Sequence, residues 1–210
     1  MKKLCALIGL LSIVIGVSAQ TKSVSIDEKF ENITHVEVNV IFSDVIVQAI
    51  ESNTVSVKGT ISWDRDKDEY EIKTRQSGTT LIVEVEHPRN VKGRATGKIN
   101  INMPAMTDIK INGVSGQILV HGVGQRLVQC NTVSGDIRAE KIGGNISANN
   151  VSGDIEFIEI KGNAKSNSVS GDVVLNGVDG NFKGNSVSGD FTIINLKGNR
   201  EISTLSGSIR

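Results

Sequence analysis

The chain has 210 residues, with 23 basic and 23 acidic side chains, seven aromatic residues, 22 glycines and two prolines. This length is sufficient for one or two domains with a hydrophobic core. Neither half has the basic excess that neutralises a run of phosphates, so we expect no nucleic-acid partner. Few aromatic residues and many glycines indicate tight turns and argue against an aromatic-lined ligand pocket.

Residues 1–19 have the pattern of a secretory signal peptide: two lysines, an apolar run over residues 4–17, and small residues before a cleavage point at Ala19. The apolar run is shorter than the roughly 20 residues of a membrane span. We therefore expect no transmembrane span and export to the periplasm, the outer-membrane surface or the extracellular medium. Cys5 lies too early in the signal for a cleavable lipobox, so no lipid anchor is expected.

Cleavage after Ala19 would remove two of the 23 basic residues and leave 21 against 23 acidic residues. It would also leave Cys130 as the only cysteine. The mature monomer is therefore expected to have no internal disulfide, although its destination is oxidising.

Residues 20–113 form an irregular β-rich region with no helical periodicity. Two charged stretches, residues 63–69 and 87–98, are predicted to be long loops. Short runs of alternating or β-branched apolar residues predict strands at residues 36–40, 45–47, 55–57, 70–72, 81–85, 99–101 and 109–111.

Residues 114–210 repeat with a period of 18, and a fixed period of this length is the signature of a solenoid. The motif Val-Ser-Gly-Asp begins at Val133, Val151, Val169 and Val187, with variants at Val114 and Leu205. A second motif, an apolar residue followed by x-Gly-Asn, comes nine residues later, at Ile142, Ile160, Val178 and Leu196. Residues 42–47 match the first motif without its glycine. The region 20–113 is therefore either the start of the same solenoid or a separate small β-sandwich.

Each nine-residue unit combines a Gly-Asp or Gly-Asn turn with a strand of period two. The chain is thus predicted to be all-β: a two-sheet β-solenoid, of the β-helix or β-roll type, with 18-residue coils and a less regular N-terminal half. A three-sided helix is disfavoured because it would bury a column of asparagines in an apolar core.

Each nine-residue unit has three positions that are expected to point inward, and the first of them is the apolar residue that opens the motif. At the third position, large and small side chains are expected to alternate between successive units. The residues Ala139, Phe157 and Leu175 are expected to lie inside and to be matched nine residues later by smaller or equal ones, Ala148, Ser166 and Gly184.

The period stacks equivalent side chains into columns about 4.8 Å apart. Asp136, Asp154, Asp172 and Asp190 are expected to accept turn amide hydrogens, with calcium held between coils as the alternative. Two asparagine columns are expected to be structural: Asn145, Asn163, Asn181 and Asn199, and Asn131, Asn149, Asn167 and Asn185. A serine column is expected to form turn hydrogen bonds, with contact to sugars or a partner as its alternative: Ser115, Ser134, Ser152, Ser170, Ser188 and Ser206.

The remaining candidates are weak. Asp64, Asp66 and Asp68 have the spacing of a calcium loop, but Glu69 and Arg75 occupy positions that need glycine and glutamate, so an ordinary charged loop is expected. The basic residues Arg89, Lys92, Arg94 and Lys98 are expected to form a solvated loop, with anionic headgroups or polysaccharide as alternative ligands. No catalytic, cofactor or metal residue is assigned, because His35, His87 and His121 are scattered. The acids of a polysaccharide-active enzyme would be Glu156, Glu159 and Asp179.

The Val-Ser-Gly-Asp coils behind a signal peptide resemble the exported bacterial β-strand-repeat proteins called "putative adhesins", including those with a head GIN domain. The resemblance implies a cell-envelope or surface location and no known catalytic residues. No cofactor is expected. The expected function is a non-enzymatic adhesin-like scaffold that binds an envelope protein or glycan. A structural module that self-associates through its C-terminal end, near Leu205 and Ile209, is the alternative.

Overall fold

A computed structural model of the chain describes residues 22–64, 69–88 and 93–210. The predicted signal peptide and Asp66, Asp68, Arg89 and Lys92 lie outside these ranges. No helix in the described part of the chain has the length and hydropathy of a membrane span. The described residues form strands β1 Lys22–Glu31, β2 His35–Asn39, β3 Ser43–Ala49, β4 Thr54–Trp63, β5 Glu71–Ser77, β6 Thr80–Glu86, β7 Ala95–Met103, β8 Asp108–Asn112, β9 Ile118–His121, β10 Leu127–Ser134, β11 Ile137–Glu140, β12 Asn145–Ser152, β13 Ile155–Ile160, β14 Ala164–Ser170, β15 Val173–Val178, β16 Phe182–Ser188, β17 Phe191–Leu196 and β18 Arg200–Ser206.

The strands form two sheets of nine strands each. Sheet I has the order β1-β4-β7-β3-β9-β11-β13-β15-β17, and sheet II has the order β18-β16-β14-β12-β10-β8-β2-β6-β5. All pairs are parallel except β1 with β4, β4 with β7, and β5 with β6. The predicted all-β solenoid of two parallel sheets is therefore confirmed.

The period of 18 residues appears directly in the strand register. In sheet I, Ile155 pairs with Ile137 on one side and with Val173 on the other. In sheet II, Ala148 pairs with Cys130 and Ser166 in the same way. Equivalent residues of successive coils therefore lie side by side, as the columns require.

Strands of the N-terminal region belong to the same two sheets. Strand β2 lies between β6 and β8, and β3 lies between β7 and β9. Val45 pairs with Ile118, which aligns residues 43–45 with the Gly116-Gln117-Ile118 turn. The glycine-free copy of the motif at residues 42–47 therefore stacks on the regular coils. The division between residues 113 and 114 stays a prediction.

Three details of the N-terminal region differ from the sequence prediction. Trp63 ends strand β4 and is buried, and Lys98 lies within strand β7, so the two charged loops are shorter than predicted. Strand β1 was not predicted. It is an edge strand of sheet I with mostly exposed or half-buried side chains, and Glu28 interrupts its alternate apolar positions, Val24, Ile26 and Phe30.

The predicted inward residues form the core between the sheets. Phe157 and Leu175 have no exposed surface, and Ala139, Ala148 and Ser166 are equally buried. Gly184 makes room for two aromatic rings, because a Cβ atom there would lie 2.7 Å from Phe182 Cζ and 2.6 Å from Phe191 Cε1. The predicted inward positions are confirmed, but the rings beside Gly184 are those of Phe182 and Phe191 and not the side chain of the predicted partner, Leu175.

The motif valines do not point inward as predicted. Each is 46–48% exposed, and together they form a valine stripe along the stack: Val114, Val133, Val151, Val169 and Val187. The reason is the alternation of sheet II, in which Ala148 and Asn150 are buried, so that Val151 follows on the outer face. The Asn150 amide satisfies its buried position by donating to the carbonyl oxygens of Gly135 and Gly153, both at 3.0 Å.

Candidate functional site

The aspartate column consists of Asp136, Asp154, Asp172 and Asp190. Each Oδ1 accepts the backbone N–H of the next residue in the column, at 2.8–3.0 Å, and Asp190 accepts from Ser208. Asp44 makes the same bond to the Gln117 N–H at 2.9 Å. The predicted turn hydrogen bonds are confirmed. Within the described residues, no cluster of three or more His, Cys, Asp or Glu side chains could hold a metal ion.

The asparagine column, Asn145, Asn163, Asn181 and Asn199, uses the same hydrogen bond at the opposite turn. Each amide Oδ1 from Asn145 to Asn181 accepts the backbone N–H of the next asparagine, at 2.8–2.9 Å. An earlier coil has Asp108 in the equivalent place, where its Oδ1 accepts the N–H groups of Arg126 and Leu127. The backbone N–H groups of this turn therefore require an acceptor oxygen, which Asp or Asn can supply. The NH₂ groups of the asparagines take no part in these hydrogen bonds.

The second asparagine set forms an asparagine ladder of a different kind. Here the side chains bond to one another: each Nδ2 donates to the Oδ1 of the preceding member, at 2.6–2.9 Å. Glu84 accepts from the first Nδ2 at 3.5 Å. The predicted structural role is confirmed, and the ladder is longer than predicted because it includes two earlier residues: Asn39, Asn112, Asn131, Asn149, Asn167 and Asn185.

A shallow groove of about 490 Å³ runs across the start of the sheet II strands, beside the asparagine column. We call it the amide groove. Its polar lining includes the asparagine column, Ser147, Lys165, Lys183, Arg200 and Glu201. The apolar residues Ile146, Ala164 and Phe182 lie beneath and are at most 3% exposed. The sequence prediction missed this groove, because it treated the asparagine column as purely structural.

The groove presents an excess of hydrogen-bond donors. Within the described residues, the Nδ2 groups of Asn145, Asn163 and Asn181 make no hydrogen bond, and Lys165 and Arg200 form no ion pair. Lys183 pairs with Glu201. The arrangement can therefore bind a ligand that carries repeated acceptors or negative charge, at intervals of one coil.

The serine column behaves differently from the prediction. Ser115 Oγ donates to the Ile41 carbonyl oxygen at 3.0 Å. The other members make no side-chain hydrogen bond to the described residues, because they point into solvent next to the valine stripe. The serine column and the valine stripe lie at the ends of the sheet II strands, opposite the amide groove.

The other predicted candidates that lie in the described ranges are not brought together. His35 lies in β2, His87 Nδ1 lies 2.9 Å from the Pro88 carbonyl oxygen, and His121 Nε2 lies 3.8 Å from Glu140. Asp64 Oδ1 accepts the Arg94 N–H at 2.9 Å, which ties two strand ends. The histidines therefore do not lie together in the fold, and the Asp64 contact stabilises the connection between β4 and β7.

Two of the three acids considered for catalysis form ion pairs with basic side chains, and the third forms no ion pair with the described residues. Glu156 forms an ion pair with Arg138 across adjacent strands of sheet I. Asp179 lies 2.8 Å from Lys197 and 3.7 Å from Lys161, and the hydrogen bond to Lys197 lowers the pKa of its carboxyl group. Glu159 is exposed in a left-handed turn conformation, with a φ angle of 54°.

Together these features define an all-β solenoid protein with stacked polar columns on both turns. The chain belongs to the Toastrack DUF4097 family, whose model matches residues 33–210. This match confirms the family resemblance seen in the Val-Ser-Gly-Asp coils.

Three solved structures are similar to the chain. A "putative adhesin" from Bacteroides fragilis is 14% identical, with a TM-score of 0.52 over 92% of this chain and 99% of that one. A "putative cell adhesion protein" from Clostridium sporogenes is 11% identical, with a TM-score of 0.42 over 90% and 100%. A "putative adhesin" from Parabacteroides merdae is 11% identical, with a TM-score of 0.31 over 91% and 97%. No curated protein matches the chain.

Proposed function

We propose that this protein is an exported, non-enzymatic binding scaffold of the bacterial cell envelope, which presents the amide groove to an extended partner, a protein or a glycan. The observation that carries the proposal is the row of unbonded Nδ2 groups on Asn145, Asn163 and Asn181. Each is fixed by its own Oδ1 hydrogen bond. The donors are therefore held in place before any partner arrives, which lowers the entropic cost of binding.

The fold supports a binding role. Its parallel register repeats the asparagine column at intervals of one coil, so a partner with a matching repeat can make the same contact several times. The similar protein from Bacteroides fragilis is described as a "putative adhesin". This description and the signal-peptide pattern of residues 1–19 support a place in the envelope.

The charge pairing supports a non-enzymatic role. A general acid of a glycosidase needs a raised pKa. The pKa of Asp179 is shifted in the opposite direction, mainly by the hydrogen bond from Lys197. Glu156 forms an ion pair with Arg138 and is not free to act on a substrate in this arrangement.

The proposal is tested by co-sedimentation of the purified protein with isolated envelopes of the source organism. We expect the wild-type protein to sediment with the envelopes. A double variant, Asn163→Asp with Asn181→Asp, is expected to stay in the supernatant. The matched control, Val151→Thr with Val169→Thr, changes the opposite end of the same strands and should sediment like the wild type. Wild-type protein that remains soluble with every envelope fraction would overturn the proposal.

The location is tested on intact cells that express the full chain. We expect the protein to be found in the envelope fraction after cell fractionation. Cleavage by external protease places the groove on the surface, and protection from the protease places it in the periplasm. Recovery of the uncleaved chain in the cytoplasmic fraction would contradict export.

A second candidate function is self-association at the β18 end of the stack. Leu205 is 85% exposed there, and Ile194 and Ile209 are each 46% exposed. Strand β18 pairs only with β16 among the described strands, so its outer backbone groups are open to another strand. Light scattering over a range of concentrations tests this function. Association that Leu205→Glu abolishes supports it, and a monomer at every concentration excludes it.

A further inference from the structure

We infer that the ligand of the amide groove is an acidic polysaccharide, that is, a glycan chain with repeated carboxylate groups. This inference rests on the proposed function as a binding scaffold. It starts from the chemistry of the groove, whose free polar groups are mostly donors, and from the spacing of those groups at one coil, about 4.8 Å.

The first step concerns the amides. Asn163 Oδ1 accepts the Asn181 N–H at 2.8 Å, and Asn181 Oδ1 accepts the Asn199 N–H at 2.9 Å. These bonds occupy one acceptor site on each amide oxygen, while the NH₂ groups of these groove-lining side chains make no hydrogen bond to the described residues. A ligand therefore meets donors, which favours carboxylate oxygens because hydrogen bonds to a charged acceptor are the stronger ones.

The second step concerns charge. Lys165 and Arg200 line the groove, are exposed, and form no ion pair with the described residues. Lys183 and Glu201 neutralise each other. The groove therefore has a net positive charge of two in a chain of balanced composition, which favours an anionic ligand and makes binding sensitive to salt.

The third step distinguishes a glycan from other polyanions and from a protein. Among the described residues of the lining, Phe182 is the only aromatic one and is 1% exposed, so no ring there is available to stack on a nucleic-acid base. Arg200 is the one exposed residue among the described lining residues of a type that is enriched in protein-interface hot spots, and no exposed aromatic or Met anchor accompanies it. The aliphatic stems of Lys165 and Lys183 offer apolar strips on which the C–H faces of sugar rings can pack.

The test uses isothermal titration calorimetry with three carboxylated polysaccharides, polygalacturonate, alginate and hyaluronan. Neutral dextran and oligo(dT) are the comparison ligands. We expect at least one carboxylated polysaccharide to bind, with an affinity that falls as salt rises, and we expect no heat from dextran. Lys165→Ala with Arg200→Ala should weaken binding at least tenfold and reduce its salt dependence.

The amides are tested by Asn163→Asp with Asn181→Asp. Aspartate keeps the Oδ1 acceptor, as Asp108 and Asp154 show in this chain, but removes the NH₂ donors and adds two negative charges to the groove. We expect binding to fall at least tenfold while the unfolding temperature changes little. The charge-matched control, Ser152→Asp with Ser170→Asp, adds the same two charges at the exposed opposite end of the sheet II strands and should leave affinity nearly unchanged.

The outcomes separate the inference from the proposed function. If none of the three polysaccharides binds while groove-dependent sedimentation with envelopes persists, the ligand class is wrong and the scaffold function survives. If oligo(dT) binds as tightly as the polysaccharides, and Asn163→Asp with Asn181→Asp abolishes its binding, the groove recognises a nucleic acid and the inference is overturned. If envelope sedimentation also fails, both are wrong.

Discussion

Gly153 packs directly against the carbonyl group of Gly135 in the preceding coil. A Cβ atom on Gly153 would lie 2.6 Å from the Gly135 oxygen, and the φ angle of Gly153 is +117°. Gly171 stands in the same relation to Gly153. The motif glycine is thus required twice, once for its backbone conformation and once for the close approach of adjacent coils.

The substitution Gly153→Ala is therefore expected to destabilise the protein. The backbone conformation alone costs about 1–3 kcal/mol, and the contact with Gly135 adds to this because the backbone atoms cannot move aside. Urea unfolding followed by circular dichroism measures the loss.

Gly78→Ala is the matched control for the backbone term. Gly78 has a φ angle of +61°, but a Cβ atom there would meet no atom within 4 Å. A loss in Gly153→Ala no greater than that in Gly78→Ala would show that the coils can separate to accommodate a methyl group.

The regular half of the fold was predictable because its period is written in the sequence and each unit carries both a turn and a strand. The first copy, at residues 42–47, was recognisable without its glycine. Ser43 is accommodated there because Gly97, on the neighbouring strand, leaves space for its Oγ. Strand β1 escaped prediction because Glu28 interrupts its alternate apolar positions, Val24, Ile26 and Phe30, and only Ile26 among these is buried.

The candidate site was less predictable, for a different reason. The period establishes that Asn149 and Asn163 each belong to a column, but not which amide atoms are bonded. That depends on whether the side chain bonds to an amide side chain of the neighbouring coil, as at Asn149, or to a backbone N–H of the next coil, as at Asn163. The same limit applies to the valine stripe, because a fixed period does not say which face of the strand Val151 occupies.

Phe157→Ala is expected to cost about 3–5 kcal/mol, because removal of a fully buried ring leaves a cavity between the sheets. Its sheet neighbours, Ala139 and Leu175, are held by the strand register and cannot fill the space. Chemical denaturation of the purified variant gives the value. The control is Ile158→Ala on the outer face of the same strand, which should cost much less, and a loss below about 1 kcal/mol for Phe157→Ala would contradict the core position.

The two asparagine sets should respond in opposite ways to aspartate. Asn149 donates to Asn131 at 2.7 Å and accepts from Asn167 at 2.6 Å, so Asn149→Asp removes a donor from a half-buried ladder and places two acceptors together. We expect a loss of about 1–3 kcal/mol. Asn163→Asp keeps the acceptor that the turn uses and should be nearly neutral. Equal losses, compared by urea unfolding at pH 7, would mean that the two sets do not differ in bonding.

Cys130 should make the protein less stable at alkaline pH. Complete burial raises the pKa of its thiol to about 12, from an ordinary value of 9.0. Between these values the unfolded chain has lost the proton that the native state keeps, so stability falls as pH rises, by up to about 1.4 kcal/mol per pH unit.

Urea unfolding at pH 8 and pH 10 tests this in the wild type and in Cys130→Ala, which cancels the contribution of all other groups. The wild type is expected to lose about 1–2 kcal/mol more than the variant over this interval. A thiol-specific reagent should also fail to label the native protein at pH 8 and should label it in urea. Equal pH dependence in the two proteins, or rapid native labelling, would show that the thiol reaches solvent and that the sheets open around β10 without global unfolding.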